Sequence, residues 1–288
     1  MVGMDSGAHP TLEQVGPGVR RLLAANPSAF TFTGTQTYVV GRGDVAVIDP
    51  GPDEAGHVDA LLRGLGEERV TAILCTHTHR DHSPASRPLA AATGAPIIGC
   101  APFAIPDDGP RADASFDFDY QPDVVLAHGG RVAGDDWTLE AVATPGHTSN
   151  HLCFAWSEAA ALFTGDHVMG WSTTIVSPPD GDMAAYMASL ELLLARDDRI
   201  YYPTHGPAIE DPKGHVQALI GHRRMREAQI LGEIEAGRGR IPDMVSNLYR
   251  DTDPALHAAA ARSVLAHLLD LERRGRVTLD GEIWAMAA

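Results

Sequence analysis

The apolar run Val70–Cys75 leads without a break into Thr76-His77-Thr78-His79-Arg80-Asp81-His82. A short apolar run of this kind reads as a strand buried on both faces, and such a strand needs a layer of structure on either side of its sheet. His77 and His79 stand two residues apart at its end, so their side chains point the same way. Asp81 and His82 follow where the chain turns toward a helix and curls back around the same point. Four ligand-type side chains within six residues suit a metal ion far better than a packed core. One segment thus predicts both a layered α/β fold and a metal held at the end of a buried strand.

The rest of the chain reads consistently with that frame. Thr35–Val40 and Val45–Asp49 are β-rich, and Gly41-Arg42-Gly43-Asp44 between them signals a hairpin. Residues 54–65 have helical spacing, 84–95 read as helix and 96–99 as strand. Strands are expected at 137–143, 151–156 and 161–163, and a helix at 183–196 with Asp182 as N-cap. The spacing of Leu190, Leu193 and Leu194 marks the core side of that helix, and Cys75 reads as packing. Strands interspersed with helices indicate layered α/β packing. After residue 212 the character changes to a long amphipathic helix (214–236), a short one (242–249), a second long one (254–274) and a strand–turn–strand over 276–286. Helices closed by a hairpin are the order of a winged helix, so we expect two domains, 1–212 and 213–288. The Pro- and Asp-rich stretch 102–123 is a long connection of the kind that often carries function.

Charge and composition narrow the partners. The 288 residues are 44% apolar with a formal charge of −16. Residues 213–288 hold 11 Lys+Arg and 10 Asp+Glu, which leaves a net −17 on residues 1–212. Such an acidic portion repels a long polyanion unless metal ions offset it locally. The three cysteines, Cys75, Cys100 and Cys153, are widely spaced and odd in number, which fits buried thiols in a reducing cytoplasm better than a disulfide framework. The first ten residues have neither a basic start nor an apolar core, and no apolar run approaches the roughly 20 residues of a membrane span, so neither leader nor membrane association is expected.

Three further motifs add ligand types at strand ends. Thr144-Pro145-Gly146-His147-Thr148 offers His147 from a tight turn, Phe163-Thr164-Gly165-Asp166 ends a strand with a carboxylate, and Tyr202-Pro203-Thr204-His205-Gly206 ends another with an imidazole. With the first segment they make five His and two Asp at the strand ends where active sites of such sheets collect. In this order, over about residues 30–210, the four motifs resemble the metallo-β-lactamase-fold superfamily. The resemblance implies a four-layer αββα sandwich with the site along one edge. It implies that His77, His79 and His147 bind one metal and that Asp81, His82 and His205 bind a second, with Asp166 bridging. True β-lactamases of this fold usually lack a His at the position of His82 and carry a Cys at that of Asp166, so antibiotic hydrolysis is not expected. The segment from Gly165 to Leu193 resembles the β-lactamase-like protein 2 group, and the C-terminal portion resembles that group's β-lactamase-associated winged helix.

The chemistry of such a set is hydrolytic. Imidazole and carboxylate ligands suit zinc, and also iron or manganese. Two such ions can share a water, lower its pKa toward about 7 and supply a bridging hydroxide as nucleophile, with Asp81 orienting that water or taking its proton. Asp49, at the end of the strand Val45–Asp49, is a candidate brace for a ligand His. His151 reads as a core or bracing histidine, and His167 should point away from the metals. Thr173, Thr174 and Tyr186 are candidate substrate contacts, with loop hydrogen bonding and helix packing as the competing reading.

Three function classes stay open. A hydrolase of a small ester, thioester or lactone is favoured by the acidic N-terminal portion. A phosphodiesterase, in particular a single-strand-specific endoribonuclease, is favoured by the group resemblance and by the basic run His222–Arg226, which also reads as a solvated helix face. A nucleic-acid-binding regulator is disfavoured, because the would-be recognition helix Ser263–Arg274 is mostly aliphatic and suits core packing or a homodimer contact. A mononuclear iron enzyme oxidising sulfur is a variant that the ligands alone also permit.

Overall fold

Two strands that the sequence reading passes over open the fold. β1 (Glu13–Gly16) and β2 (Val19–Leu23) pair antiparallel, with Arg20 and Arg21 interrupting the apolar alternation of β2. Those arginines are held by partners elsewhere in the chain, Arg20 by Glu68 at 2.5 Å and Arg21 by Gln36 at 2.8 Å. The computed structural model describes residues 11–104 and 116–288. The first ten residues, and residues 105–115 of the long connection at 102–123, lie outside the described residues.

β3 (Gln36–Arg42) and β4 (Asp44–Ile48) form the expected hairpin about Gly43, whose φ is 71°. The chain then alternates α1 (Ala55–Leu65), β5 (Arg69–Cys75), α2 (Ser86–Thr93), β6 (Ile97–Gly99) and β7 (Val124–Val125). The seven strands lie in chain order in one sheet, antiparallel from β1 to β4 and parallel from β4 to β7. A second sheet is built from β8 (Arg131–Ala133), β9 (Thr138–Ala143), β10 (Leu152–Trp156), β11 (Ala161–Gly165) and β12 (Ile200–Pro203). Its strands are antiparallel except β12, which runs parallel to β11 after the crossover through α3 (Met183–Leu194). As expected, Asp182 caps α3, accepting from the Ala185 N–H at 2.8 Å.

The period of two along each strand divides the core. Tyr38, Val40, Ala46, Ile48, Ala72 and Leu74 face the second sheet and pack on Leu139, Ala141, Phe154 and Phe163. The intervening Val39, Val45, Val47 and Ile73 face outward and are covered by Leu61 of α1 and Leu89 of α2. On the far side Val142, Cys153, Leu162 and Tyr201 are covered by Met183, Tyr186, Leu190 and Leu193 of α3. The result is the αββα sandwich that the resemblance implies. All three cysteines are buried and free.

The C-terminal portion consists of α4 (Pro212–Glu235), α5 (Ile241–Leu248), α6 (His257–Arg273), and the hairpin of β13 (Val277–Asp280) and β14 (Ile283–Met286). Its own core joins Ile230, Ile234, Met244, Val264, Leu268 and Trp284. The first half of α4 does different work: Val216, Leu219 and Ile220 pack on the second sheet's outer layer, as does Ala266 of α6. Most of the apolar face of α6 is therefore spent on internal packing. Among the described residues no helix is long and apolar enough to cross a membrane.

A chain truncated after residue 212 would uncover the apolar outer layer of the second sheet on which Val216, Leu219, Ile220 and Ala266 pack. We expect it to aggregate or to lose a cooperative melting transition; a soluble truncated chain that melts cooperatively would contradict the packing described here.

Candidate metal centre

Every expected ligand lies at or just beyond the end of a strand. His77 and His79 follow β5, His147 follows β9, Asp166 follows β11, and His205 follows β12, while Asp81 and His82 sit in the turn before α2. Two glycines set the approach. Gly146 has φ 141°, and a Cβ there would stand 2.3 Å from the Cα of Tyr186. Gly165 has φ 51°, and a Cβ would stand 2.6 Å from Nε2 of His151. The turns that present His147 and Asp166 thus require glycine both for conformation and for space.

The side chains converge in two groups, His77, His79, His147 and Asp166 in one and Asp81, His82 and His205 in the other, with the ligand atoms of each group within 4.8 Å of one another. In the first, Nδ1 of His79 lies 2.9 Å from Nε2 of His77 and 3.1 Å from Nε2 of His147. In the second, Oδ2 of Asp81 lies 3.3 Å from Nε2 of His82 and 3.2 Å from Nε2 of His205. Asp166 touches both groups with different oxygens. Its Oδ1 is 3.3 Å from Nε2 of His205 and 3.5 Å from Nε2 of His82, and its Oδ2 is 3.7 Å from Nε2 of His147.

The outer nitrogens of four of these imidazoles are occupied, which fixes the tautomer each presents inward. His77 Nδ1 donates to Thr76 Oγ1 at 3.0 Å, His82 Nδ1 to Asp49 at 3.0 Å, His147 Nδ1 to the Ile175 carbonyl at 2.7 Å, and His205 Nδ1 to the Gly34 carbonyl at 3.3 Å. Inward, Nε2 of His82 and Oδ1 of Asp166 are buried without a hydrogen-bond partner. Buried polar atoms left without partners and aimed at one point are what a cation would satisfy. The donor set fits divalent metal ions.

Electrostatics separates the two halves. Burial, followed by the neighbouring imidazoles, pushes His77 well below the ordinary histidine value. Burial and then His147 do the same to His79, so both are neutral lone-pair donors. Burial alone would also lower His205, but the Asp166 and Asp81 carboxylates outweigh it and raise it to about 10. Against the same effect of burial His82 is raised too, mainly by Asp81 and then Asp166. Against the upward push of burial, His82 and His205 hold both Asp81 and Asp166 well below the usual carboxylate range. The half that holds the carboxylates therefore demands positive charge.

Asp49 is a brace on several sides at once. It accepts from Thr76 N and Thr76 Oγ1, both at 2.8 Å, from Thr204 Oγ1 at 3.1 Å and from the ligand His82. It sits at φ 47°, a left-handed conformation that Asp tolerates better than most residues. His151 is fully buried, its Nε2 accepting from the Asp166 N–H at 3.2 Å. Thr174 Oγ1 donates to the Asp166 carbonyl at 2.6 Å, while Thr173 lines a neighbouring cavity. Tyr186, expected as a substrate contact, is instead wholly buried, its ring 4.7 Å from that of His167. His167 is also buried, and burial followed by His147 lowers it to about 3.

Sequence reasoning misses Thr35, whose hydroxyl donates to Asp81 at 3.0 Å, and Phe116, whose ring lies 4.6 Å from that of His79. Thr35 is 46 residues from its partner, and nothing in the sequence marks the pairing. The long connection 102–123 does reach the site, through Phe116.

A family model of the metallo-beta-lactamase superfamily matches residues 30–205, and one of the beta-lactamase associated winged helix domain matches residues 241–284. The chain is similar to a beta-lactamase-like protein 2 homolog of Drosophila melanogaster, at 32% identity over 94% of this chain and 93% of the relative. It is similar to an atrochrysone carboxyl ACP thioesterase of Aspergillus fumigatus, at 34% identity over 77% of this chain and 66% of the relative. Among solved structures, a metallo-beta-lactamase family protein from Thermus thermophilus superposes with a TM-score of 0.75 at 20% identity, over 95% of this chain and 100% of the other. That last likeness speaks to the fold.

Asp49→Ala removes the acceptor for His82 and unties two strand ends. Its affinity for zinc should fall by about 10- to 100-fold. Competition titration against a coloured chelator measures this, and wild-type affinity in a folded variant would deny Asp49 its bracing role.

Proposed function

The chain belongs to the metallo-beta-lactamase superfamily, and from that premise we propose that it is a metal-dependent hydrolase with a two-metal centre acting on a small ester, thioester or lactone. The observation that carries the two-metal reading is Asp166, which turns one carboxylate oxygen toward His147 and the other toward His82 and His205. We assign His77, His79 and His147 to one ion and Asp81, His82 and His205 to the second, with Asp166 shared. Zinc is the first choice for this mixture of imidazole and carboxylate, iron or manganese the next. We assign the catalytic domain to residues 1–212 and a winged-helix-like domain to 213–288. The three buried free thiols favour the cytoplasm.

Bound in this way, the two ions would supply hydroxide at neutral pH and polarise the oxygen of the scissile bond. The chain's own residues do the positioning. Asp81 lines the space over the ligands, its side chain 12% exposed, and the Thr35 hydroxyl fixes the direction of its Oδ2. A carboxylate so placed orients a water and receives its proton. His77 and His79, held neutral, bind without bringing charge of their own. The space directly over the ligands is about 40 Å³, closed in part by Phe30, Met169 and Ile175. So small a space admits a compact reacting group and excludes bulk water.

A carbonyl substrate is favoured over a phosphodiester by the net −17 on residues 1–212 and by the thioesterase among the relatives. Single-stranded RNA is the second reading, supported by the arginines of α4. A regulator that reads nucleic acid through the winged helix is disfavoured, since α6 buries Val264, Leu268 and Leu271 in the domain's own core.

Two experiments test this. Zinc-loaded protein should hydrolyse a panel of short acyl thioesters and lactones, and Asp81→Ala should lose at least about 100-fold in turnover; a folded variant with wild-type rates would remove Asp81 from the mechanism. Chelation should abolish turnover and added zinc or manganese restore it, whereas persistent activity with well under one metal per chain would end the two-metal reading.

A further inference from the structure

Phe30 and Ile175, which line the space over the ligands, also line a larger cavity of about 250 Å³ between the segment 171–175 and the helices α4 and α6. From α4, His222, Arg223 and Arg226 enter it. Among the described residues neither guanidinium pairs with a carboxylate, although the neighbouring Arg224 pairs with Glu191. Arg223 is only 3% exposed; it donates to Ser263 Oγ at 3.3 Å and to the Thr174 carbonyl, and its Nε is buried without a partner. Arg226 lies over the Tyr249 ring at 4.2 Å, reaches the Leu248 carbonyl at 3.4 Å, and likewise has a buried, unpartnered Nε.

A buried cation without a counter-charge is costly, and a chain with 38 acidic residues against 22 basic ones has carboxylates to spare. The surrounding imidazoles register the uncompensated charge. Burial and then the two arginines lower His222, and burial followed by the same arginines takes His267 down to about 3. At the mouth, Trp171 stacks on Phe32 with centroids 4.9 Å apart, and both rings are partly exposed. The cavity thus has an apolar rim and a cationic floor, and it shares Phe30 and Ile175 with the space over the ligands.

We propose that this cavity is the anion-binding half of the substrate cleft, in which Arg223 and Arg226 receive a phosphate carried on the arm of a small thioester remote from its scissile bond. The inference rests on the ester and thioester reading of the metal centre. Guanidinium groups with free N–H donors match a phosphate, whose several oxygens can take more than one of them. A bounded cavity suits one phosphate on a short arm, and the acidic portion of the chain repels a long polyanion.

Calorimetry on the zinc-loaded full chain with 4′-phosphopantetheine and pantetheine, probes that differ by one phosphate, decides the matter. Wild type should bind the phosphorylated probe at least about tenfold more tightly, the contribution of one charge-assisted hydrogen bond. Arg226→Met should bring the two probes to within about twofold, and Arg226→Lys should restore part of the difference. Equal affinity of the two probes for wild type overturns the proposal, as does a preference that survives in Arg226→Met. A short single-stranded oligoribonucleotide that binds through Arg226 while 4′-phosphopantetheine does not also overturns it, in favour of nucleic acid. The readout is binding, so failure of the hydrolytic reading, seen as no turnover of any ester or thioester, remains distinguishable.

Discussion

One buried carboxylate ties the two sheets to the metal centre. Asp49 lies just beyond β4, and it accepts from Thr76 just beyond β5, from Thr204 just beyond β12 of the other sheet, and from the candidate ligand His82. Four hydrogen bonds on one 1%-exposed side chain satisfy a charge that would otherwise be prohibitive to bury. They also hold three strand ends in register with one another, and five of the seven candidate ligands, His77, His79, Asp81, His82 and His205, follow two of those ends. The strained φ of Asp49 fits this role, since a conformation of that kind persists only where its surroundings over-determine it. Precision at the centre is therefore a property of both sheets and the core between them.

The same logic explains the charge pattern. Asp81 and Asp166 are buried beside His82 and His205, and against the effect of burial the imidazoles rise and the carboxylates fall because each stabilises the charged form of the other. His77 and His79, surrounded mainly by other imidazoles, go the opposite way. One half of the centre thus offers neutral nitrogens and the other offers anionic oxygens, with Asp166 reaching into both. The proposed pair of cations would answer both halves at once, which neither a hydrophobic core nor a plain salt-bridge network would do.

How much of this is legible in advance follows from how local each signal is. The segment Thr76–His82 is legible because its ligands lie within one strand end and the following turn, where chain geometry alone makes them converge. The hairpin about Gly43 and the cap at Asp182 are legible for the same reason. β1 and β2 are not, because Arg20 and Arg21 hide the alternation and the partners that justify them, Glu68 and Gln36, lie elsewhere in the chain. Thr35 is not, because its only mark is a hydroxyl that meets Asp81 after folding. The run His222–Arg226 is basic on its face, but its alternative as a solvated helix face fails for Arg223, which is buried. Helical periodicity could not show this, since what covers that face comes from the segment 171–175 and α6.

That covering makes the C-terminal portion part of the site. Arg223 donates to the Thr174 carbonyl, and Thr174 Oγ1 donates in turn to the Asp166 carbonyl. The next carbonyl along, that of Ile175, receives the Nδ1 proton of His147. A single short segment therefore hydrogen-bonds two metal-facing residues on one side and a buried arginine of α4 on the other. The wall of the cavity and the residues that face the metal site thus share one hydrogen-bonded segment, and the apolar packing of α4 against the second sheet's outer layer holds the far side of that segment in place.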